Sequence, residues 1–280
     1  MNGGTDFISF IDRIAEKIAE DKKDDKDYLG KDGLLYCGHC HTRKQGLATW
    51  HNGEKKVVPI SCECRKEKLK KEQDLEAIEQ LRERSNIEPK FLGCTFDSIE
   101  VNSDNGRNVN LCKRYVDKFQ ELYKANQGLL FYGDVGTGKS MLAHCIANEL
   151  MNRFRSVASI SLAKILKAGF KDADEEEAIM RKVTGVDLLI FDDLGAERET
   201  DYAKEFVYSV VDTRCNTKKP MIVTTNLTLA DMQNCNDIRN KRTYDRILEI
   251  CYPVIFTGVS WRMRNAANRY DKVTQMLEGD

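Results

Sequence analysis

Apolar positions follow two different rhythms along this chain. From about residue 91 onward, short apolar runs alternate with longer segments of helical character: 128–132 "GLLFY", 157–161 "VASIS", 187–192 "DLLIFD", 221–225 "MIVTT" and 253–257 "PVIFT". Such alternation predicts an α/β domain, a parallel sheet covered by helices, over residues 90–280. Residues 1–85 read differently. Phe7, Ile11, Ile14 and Ile18, with Ile8 and Ala15 beside them, recur at helical spacing behind a Thr5/Asp6 cap and predict a short amphipathic helix. Its apolar face either packs on the chain itself or docks on a partner protein. A charged, glycine-containing linker, "DKKDDKDYLGKDG", leads to a cysteine-bearing module at about 34–66. From Arg65 to Arg84 the mixed charge and scarce apolar positions predict a solvated connecting helix. Pro89 in "NIEPKFLGCTF" disfavours helix at Glu88 and marks a boundary.

Composition narrows the function. With 280 residues and 41% apolar content the chain can fill one large domain and a smaller appendage. A net charge of −1 means that any nucleic-acid contact comes from a local basic surface. No apolar run approaches the ~18 residues of a membrane span, and the first residues lack the order of a secretory signal. The expectation is a cytoplasmic protein without membrane contact. Ten cysteines in a reducing compartment need a reason. Cys94, Cys112, Cys145, Cys215, Cys235 and Cys251 are scattered and read as reduced thiols, several of them in the core. Cys37 and Cys40 form a Cys-x2-Cys pair, followed after 21 residues by Cys62-Glu63-Cys64. Two thiolate pairs joined by a hairpin-sized loop suit a structural, tetrahedral Zn²⁺. His39, His41 or His51 replacing one sulfur is the variant reading; a redox dithiol is the competitor, without a thioredoxin-like strand before the first pair.

"GDVGTGKS", Gly133 to Ser140, stands between an apolar run and the helical "MLAHCIANEL". This is a phosphate loop in its required context: glycines let backbone N–H groups curl inward, and the following helix adds its positive end. Gly133, Asp134, Val135, Gly136, Thr137, Gly138, Lys139, Ser140 and Met141 are the expected nucleotide-binding set. Lys139 would meet the β and γ phosphates and Ser140 would ligate Mg²⁺. "LLIFDDLG" supplies Asp192 for Mg²⁺; Asp193 either orients or deprotonates the attacking water or simply caps the next segment of chain. The run at 157–161 falls between these motifs, so the lysine and acidic strands need not be neighbours. Asn226, ending "PMIVTTN", either touches the γ-phosphate or water or only forms a turn. Arg242 and Arg246, four residues apart in "RNKRTYDRILEI", are surface charges or an arginine presented to an adjacent subunit's nucleotide.

Together, "GDVGTGKS", "LLIFDDLGAE", "PMIVTTNL", "RTYDRI" and "FTGVSWR" resemble the DnaC/DnaI-like helicase loaders and the related IstB-type transposition helper ATPases of the AAA+ superfamily, over about residues 91–265. The cysteine module resembles the amino-terminal zinc region of DnaI-like and phage-type loaders. The resemblance implies an AAA+ P-loop three-layer domain and an ATPase that binds single-stranded DNA and delivers a hexameric replicative helicase, self-associating through its ATPase domains. It implies that residues 1–85 grip the helicase, that Asn226 is sensor 1, that Arg246 is the trans-acting finger with Arg242 beside it, and that Arg262 takes the sensor 2 position. Asp192-Asp193 matches the loader branch where broader AAA+ proteins carry Asp-Glu, and Glu197 lies nearby.

For DNA, Lys164, Lys167 and Lys171 with Phe170 form a basic surface with one aromatic, unless they simply balance the adjoining "DADEEE". Three other functions compete with loading. A transposition helper would need a transposase partner, a small-molecule phosphotransferase would need an arginine-rich lid that is not recognisable here, and a non-catalytic zinc adaptor would not need Lys139, Ser140 and Asp192 intact. The tail after Arg264 carries no assignment.

Overall fold

The computed structural model describes residues 24–50, 53–161, 173–195 and 200–278. Two compact units divide the chain, Met1–Ala77 and Ile78–Asp280. In the first, β1 (Tyr28–Leu29) pairs antiparallel with β2 (Leu35–Tyr36), and β3 (Gln45–Thr49) with β4 (Lys55–Pro59). Its interior is small: Leu34, Cys37, Cys62 and Asp27 are its buried side chains among the described residues. The unit boundary falls within α1 (Glu63–Arg84), which buries none of its residues along 22 positions. Its many charged side chains explain that exposure. The amphipathic helix expected at 7–18 lies outside the described residues.

Pro89 behaves as its ring dictates. Glu88 is extended, and the short α2 (Pro89–Leu92) starts on the proline, which needs no hydrogen bond there. Then come α3 (Gly106–Asp117), α4 (Phe119–Lys124), β5 (Gly128–Gly133), α5 (Lys139–Asn152), β6 (Val157–Ser161), α6 (Ala173–Gly185), β7 (Leu188–Leu194), α7 (Asp201–Thr217), β8 (Met221–Thr225), α8 (Leu229–Gln233), α9 (Ile238–Ile250), β9 (Cys251–Phe256) and α10 (Trp261–Glu278). All five expected strands form one parallel sheet, ordered β6-β7-β8-β5-β9. β5, which leads into the lysine loop, and the acidic β7 are indeed not neighbours. The strand between them is β8, however, while β6, which separates them in sequence, forms one edge of the sheet.

Helices cover both faces, which makes the domain three-layered. Leu129 and Phe131 of β5 pack with α3 and α5 on one side, whereas Leu130 packs with α7 and α9 on the other. This alternation is the two-residue period of a strand buried on both faces. Of the six scattered cysteines, Cys94, Cys112, Cys145 and Cys251 are buried, Cys215 and Cys235 half-buried, and all are free thiols. Among the described residues no helix is long and apolar enough to cross a membrane.

Candidate functional site

A parallel sheet directs the C-terminal ends of its strands to one rim, and the glycine loop leaves β5 there. Gly133 has φ +120°, and a Cβ on it would lie 2.2 Å from the Phe256 carbonyl oxygen of β9, so glycine is required. The chain then turns into α5 at Lys139. Lys139 is buried, and its ammonium donates to the carbonyl oxygens of Gly133 at 2.8 Å and Asp134 at 2.6 Å. An ammonium has three donors, so one remains for an anion. Burial pulls its pKa down, and the carboxylates of Asp193 and Asp134 partly restore it. The Thr137 hydroxyl braces the loop by donating to the Asp134 carbonyl at 2.7 Å.

Asp192 does not end its strand. β7 runs on to Leu194 with an irregular register against β8 between Phe191 and Leu194, and Asp193 takes φ +59°. Aspartate tolerates that left-handed backbone better than most residues. The arrangement is held by Thr224, fully buried on β8. Its hydroxyl accepts from the Asp193 backbone N–H at 2.9 Å and donates to Asp192 Oδ1 at 2.6 Å. Next to it, the Thr225 hydroxyl donates to the Leu194 carbonyl at 2.7 Å. Sequence reading overlooked this pair; two adjacent hydroxyls at the end of an apolar strand were the available signal. Burial raises the pKa of Asp193, and the Asp192 carboxylate raises it further. For an ATP-hydrolysing site, Thr224→Val should lower the rate about 10- to 100-fold, the usual effect of losing a group that orients a ligand, while Thr224→Ser keeps most of it. Steady-state kinetics of the two variants decides; equal rates for Thr224→Val and wild type would refute the role.

A cavity of about 330 Å³ opens beside the loop, and Lys139, Ser140, Asp193, Asn226 and Arg262 all line it. A second, about 250 Å³, has Ile99, Met141, Leu142 and Trp261 in its wall. The two share Gly138, Met141 and Trp261, so polar and more apolar compartments meet at the loop. That suits a ligand with a phosphate chain and a flat base. Trp261 is fixed there by its backbone N–H, which donates to the Gly136 carbonyl at 2.9 Å. Phe91 and Ile99, both N-terminal to the loop in sequence, were also missed.

Arg242 and Arg246 line neither compartment. On α9 the inward face carries Thr243, Tyr244, Ile247 and Ile250. Arg242 borders a surface cleft with Lys204 and Tyr208, whereas Arg246 pairs with Asp212 at 3.4 Å and Glu249 at 3.2 Å. Lys164, Lys167, Phe170, Lys171, Glu197 and His51 lie outside the described residues.

In the N-terminal unit the structure gathers Cys37, Cys40, Cys62 and Cys64, their sulfurs all within 4.8 Å of one another. Cys37 and Cys64 approach to 3.6 Å, Cys62 and Cys64 to 3.3 Å, close to the ~3.8 Å edge of a tetrahedron with 2.3 Å zinc–sulfur bonds. The group therefore fits a zinc ion. Hydrogen bonding, first to the Thr42 hydroxyl and then to backbone amides, brings the Cys40 thiol down to about 5. Gly38 is a necessity of this knuckle, because a Cβ would lie 2.1 Å from the Lys26 carbonyl oxygen. Behind it, buried Asp27 accepts from the Gly38 N–H at 3.1 Å and pairs with Lys44 at 2.8 Å. His39 and His41 have other neighbours, Asp24 at 3.1 Å and the Tyr28 hydroxyl at 3.3 Å.

Comparison with known proteins agrees with this geometry. The family described as "IstB-like ATP binding protein" matches residues 95–269. The replicative helicase loader DnaC of Escherichia coli (strain K12) is 31% identical over 209 residues, 72% of this chain and 82% of that protein. DnaC of Buchnera aphidicola subsp. Acyrthosiphon pisum is 29% identical over 170 residues, 59% of this chain and 67% of that protein. Among solved structures, that of DnaI superposes with a TM-score of 0.51 at 24% identity, covering 62% of this chain and 96% of that one. That of the DnaC helicase loader gives 0.50 at 20%, covering 61% and 100%. These similarities favour the loader branch over the transposition-helper reading, and the superpositions give this chain the AAA+ fold. With its phosphate loop, paired aspartates and match over residues 95–269, the chain belongs to the IstB-like ATP-binding proteins, as a DnaC-like member of that family.

Proposed function

We propose that this protein is an ATP-hydrolysing helicase loader that binds single-stranded DNA and delivers a hexameric replicative helicase onto it. The observation that carries the reading is the convergence of Lys139, Asp193, Asn226 and Arg262 on one cavity in a chain 31% identical to DnaC. Loop amides and the Lys139 ammonium bind the phosphates, and Arg262 adds a second cation. The Ser140 hydroxyl and the Asp192 carboxylate would hold Mg²⁺, which would supply charge to neutralise the phosphoryl oxygens. Asp193 takes a proton from the attacking water; its raised pKa makes it a better acceptor than an exposed aspartate. Asn226 orients that water or senses the γ-phosphate. Arg246, with Arg242 beside it, serves the nucleotide of an adjacent subunit, in keeping with the absence of both from the cavity of their own molecule. The zinc-bearing unit grips the helicase, and the 164–171 lysines meet DNA.

The direct test mixes the purified protein with candidate host replicative helicases, with and without ATP, and weighs the complexes by native mass spectrometry. A complex heavier than the helicase hexamer, whose amount changes with ATP, is expected. Failure to bind any host replicative hexamer in either nucleotide state would reject the loader reading and leave an ATPase with another partner.

A further inference from the structure

One turn beyond Ser140 on α5 lies a buried histidine that the proposed hydrolysis does not use. His144 is 1% exposed, and its Nδ1 is 2.6 Å from the Ser140 carbonyl oxygen. A carbonyl can only accept, so Nδ1 carries the proton. Nε2 is then the acceptor of the neutral ring, and the Ser159 hydroxyl donates to it across 3.1 Å. Burial pushes the ring's pKa down, which keeps it in that neutral tautomer. One face of the ring stacks on Phe91, with centroids 4.1 Å apart and planes within 7°. Phe91 is in turn a wall of the phosphate cavity.

The neighbours of the ring extend the connection to the end of α1. Asn148, four residues further on, donates to the carbonyl oxygens of Phe91 and Cys94, each at 2.8 Å. Ser159 on β6 gives its backbone N–H to the Ser85 carbonyl at 2.7 Å. Ser85 is fully buried, and its hydroxyl donates to the Arg82 carbonyl at 2.6 Å in the last turn of α1. Lys182 holds the adjacent Asn86 through its side-chain oxygen at 2.7 Å. With both nitrogens and one face engaged, the ring cannot follow a shift of Ser140 without moving Phe91 or Ser159.

We infer that His144 is a positioning residue coupling the phosphate loop to residues 82–94, so that ATP binding at Ser140 is transmitted to the C-terminal end of α1. The inference rests on reading the cavity as an ATP site. It adds a specific consequence: nucleotide state is communicated along Ser140, His144, Ser159 and Ser85, with Phe91 as a second branch. Contact alone does not establish coupling, so the experiment measures the coupling itself.

Hydrogen exchange of the full-length chain, with and without Mg²⁺ and a non-hydrolysable ATP analogue, provides the measurement. In the wild type, amides of 82–94 should slow about fivefold or more on binding, the lower end of ordinary site–site couplings. His144→Phe keeps the stack and removes both hydrogen bonds; Ser159→Ala removes only the second and carries the test if the first variant does not fold. Both should bind the analogue with an affinity changed by no more than the coupling factor itself, because linkage is reciprocal, and both should lose the slowing at 82–94. A merely structural histidine would lower Tm and leave the nucleotide-dependent slowing intact, which overturns the inference. So does a wild type that binds the analogue with no change at 82–94. A wild type that binds no analogue brings down the ATP reading itself, and this inference with it.

Discussion

Lys139→Ala is expected to reduce kcat/KM for ATP hydrolysis by at least about 100-fold, the loss found when one preorganised donor to developing oxyanion charge is removed. The fold should survive. Nothing in the core depends on the ammonium, whose two hydrogen bonds go to loop carbonyls at 2.8 and 2.6 Å. Burial of that charge is also unfavourable by itself, as the lowered pKa records. The variant therefore separates chemistry from stability. It also tests the assignment of Arg246, which lies outside the cavity and pairs with Asp212 and Glu249 on the surface of its own molecule. Lys139→Ala has an inactive nucleotide site and an intact Arg246; Arg246→Ala has the converse. If the arginine acts between subunits, each variant alone is slow and a mixture regains hydrolysis. Wild-type turnover by Lys139→Ala would refute the catalytic site, and a mixture no faster than its components would refute the trans role.

The second large effect concerns the cysteines. Replacing Cys62 and Cys64 by serine, or stripping the metal with a chelator, should unfold residues 24–62. In zinc-finger peptides the metal contributes about 10–16 kcal/mol of folding free energy. This unit has little else to hold it: beyond Cys37 and Cys62 of the cysteine cluster, its buried side chains among the described residues are Leu34 and Asp27. The Ile78–Asp280 unit has a core cluster on each face of its sheet and should keep its own unfolding transition. Amide NMR spectra with and without chelator, alongside measured zinc content, decide the matter. Dispersed signals from the β3–β4 hairpin in metal-free protein would show that the sulfurs are not a folding centre. Losing this unit should also remove helicase binding while ATP hydrolysis continues.

Local chemistry was legible from the chain alone. Five apolar runs became five strands: β5, β7 and β8 are buried on both faces and need a nearly unbroken apolar stretch, whereas the edge strand β9 leaves Tyr252 and Ile255 exposed. The phosphate loop could be read because glycines, lysine and serine act within eight residues, between a strand and a helix that sequence pattern also announces. The four cysteines were found by spacing, since each pair sets two sulfurs within four residues of chain. Even so, ends drifted. β7 continues two residues past Asp192, because Thr224 and Thr225 on the neighbouring strand satisfy its backbone as it turns out of register.

What the sequence determined by itself was the class of chemistry: a triphosphate loop, a pair of aspartates and two close cysteine pairs, each encoded by residues close together in the chain. Tertiary structure alone decided the order of strands that sets β8 between lysine and aspartate, and the Thr224 hydroxyl that joins the two carboxylate residues. It alone placed Phe91 against the loop and stacked it on His144. The reason is that hydrogen bonds and ring stacks between residues 30 or more positions apart depend on strand register and helix placement. Those are properties of the packed sheet as a whole, and no short window of sequence contains them.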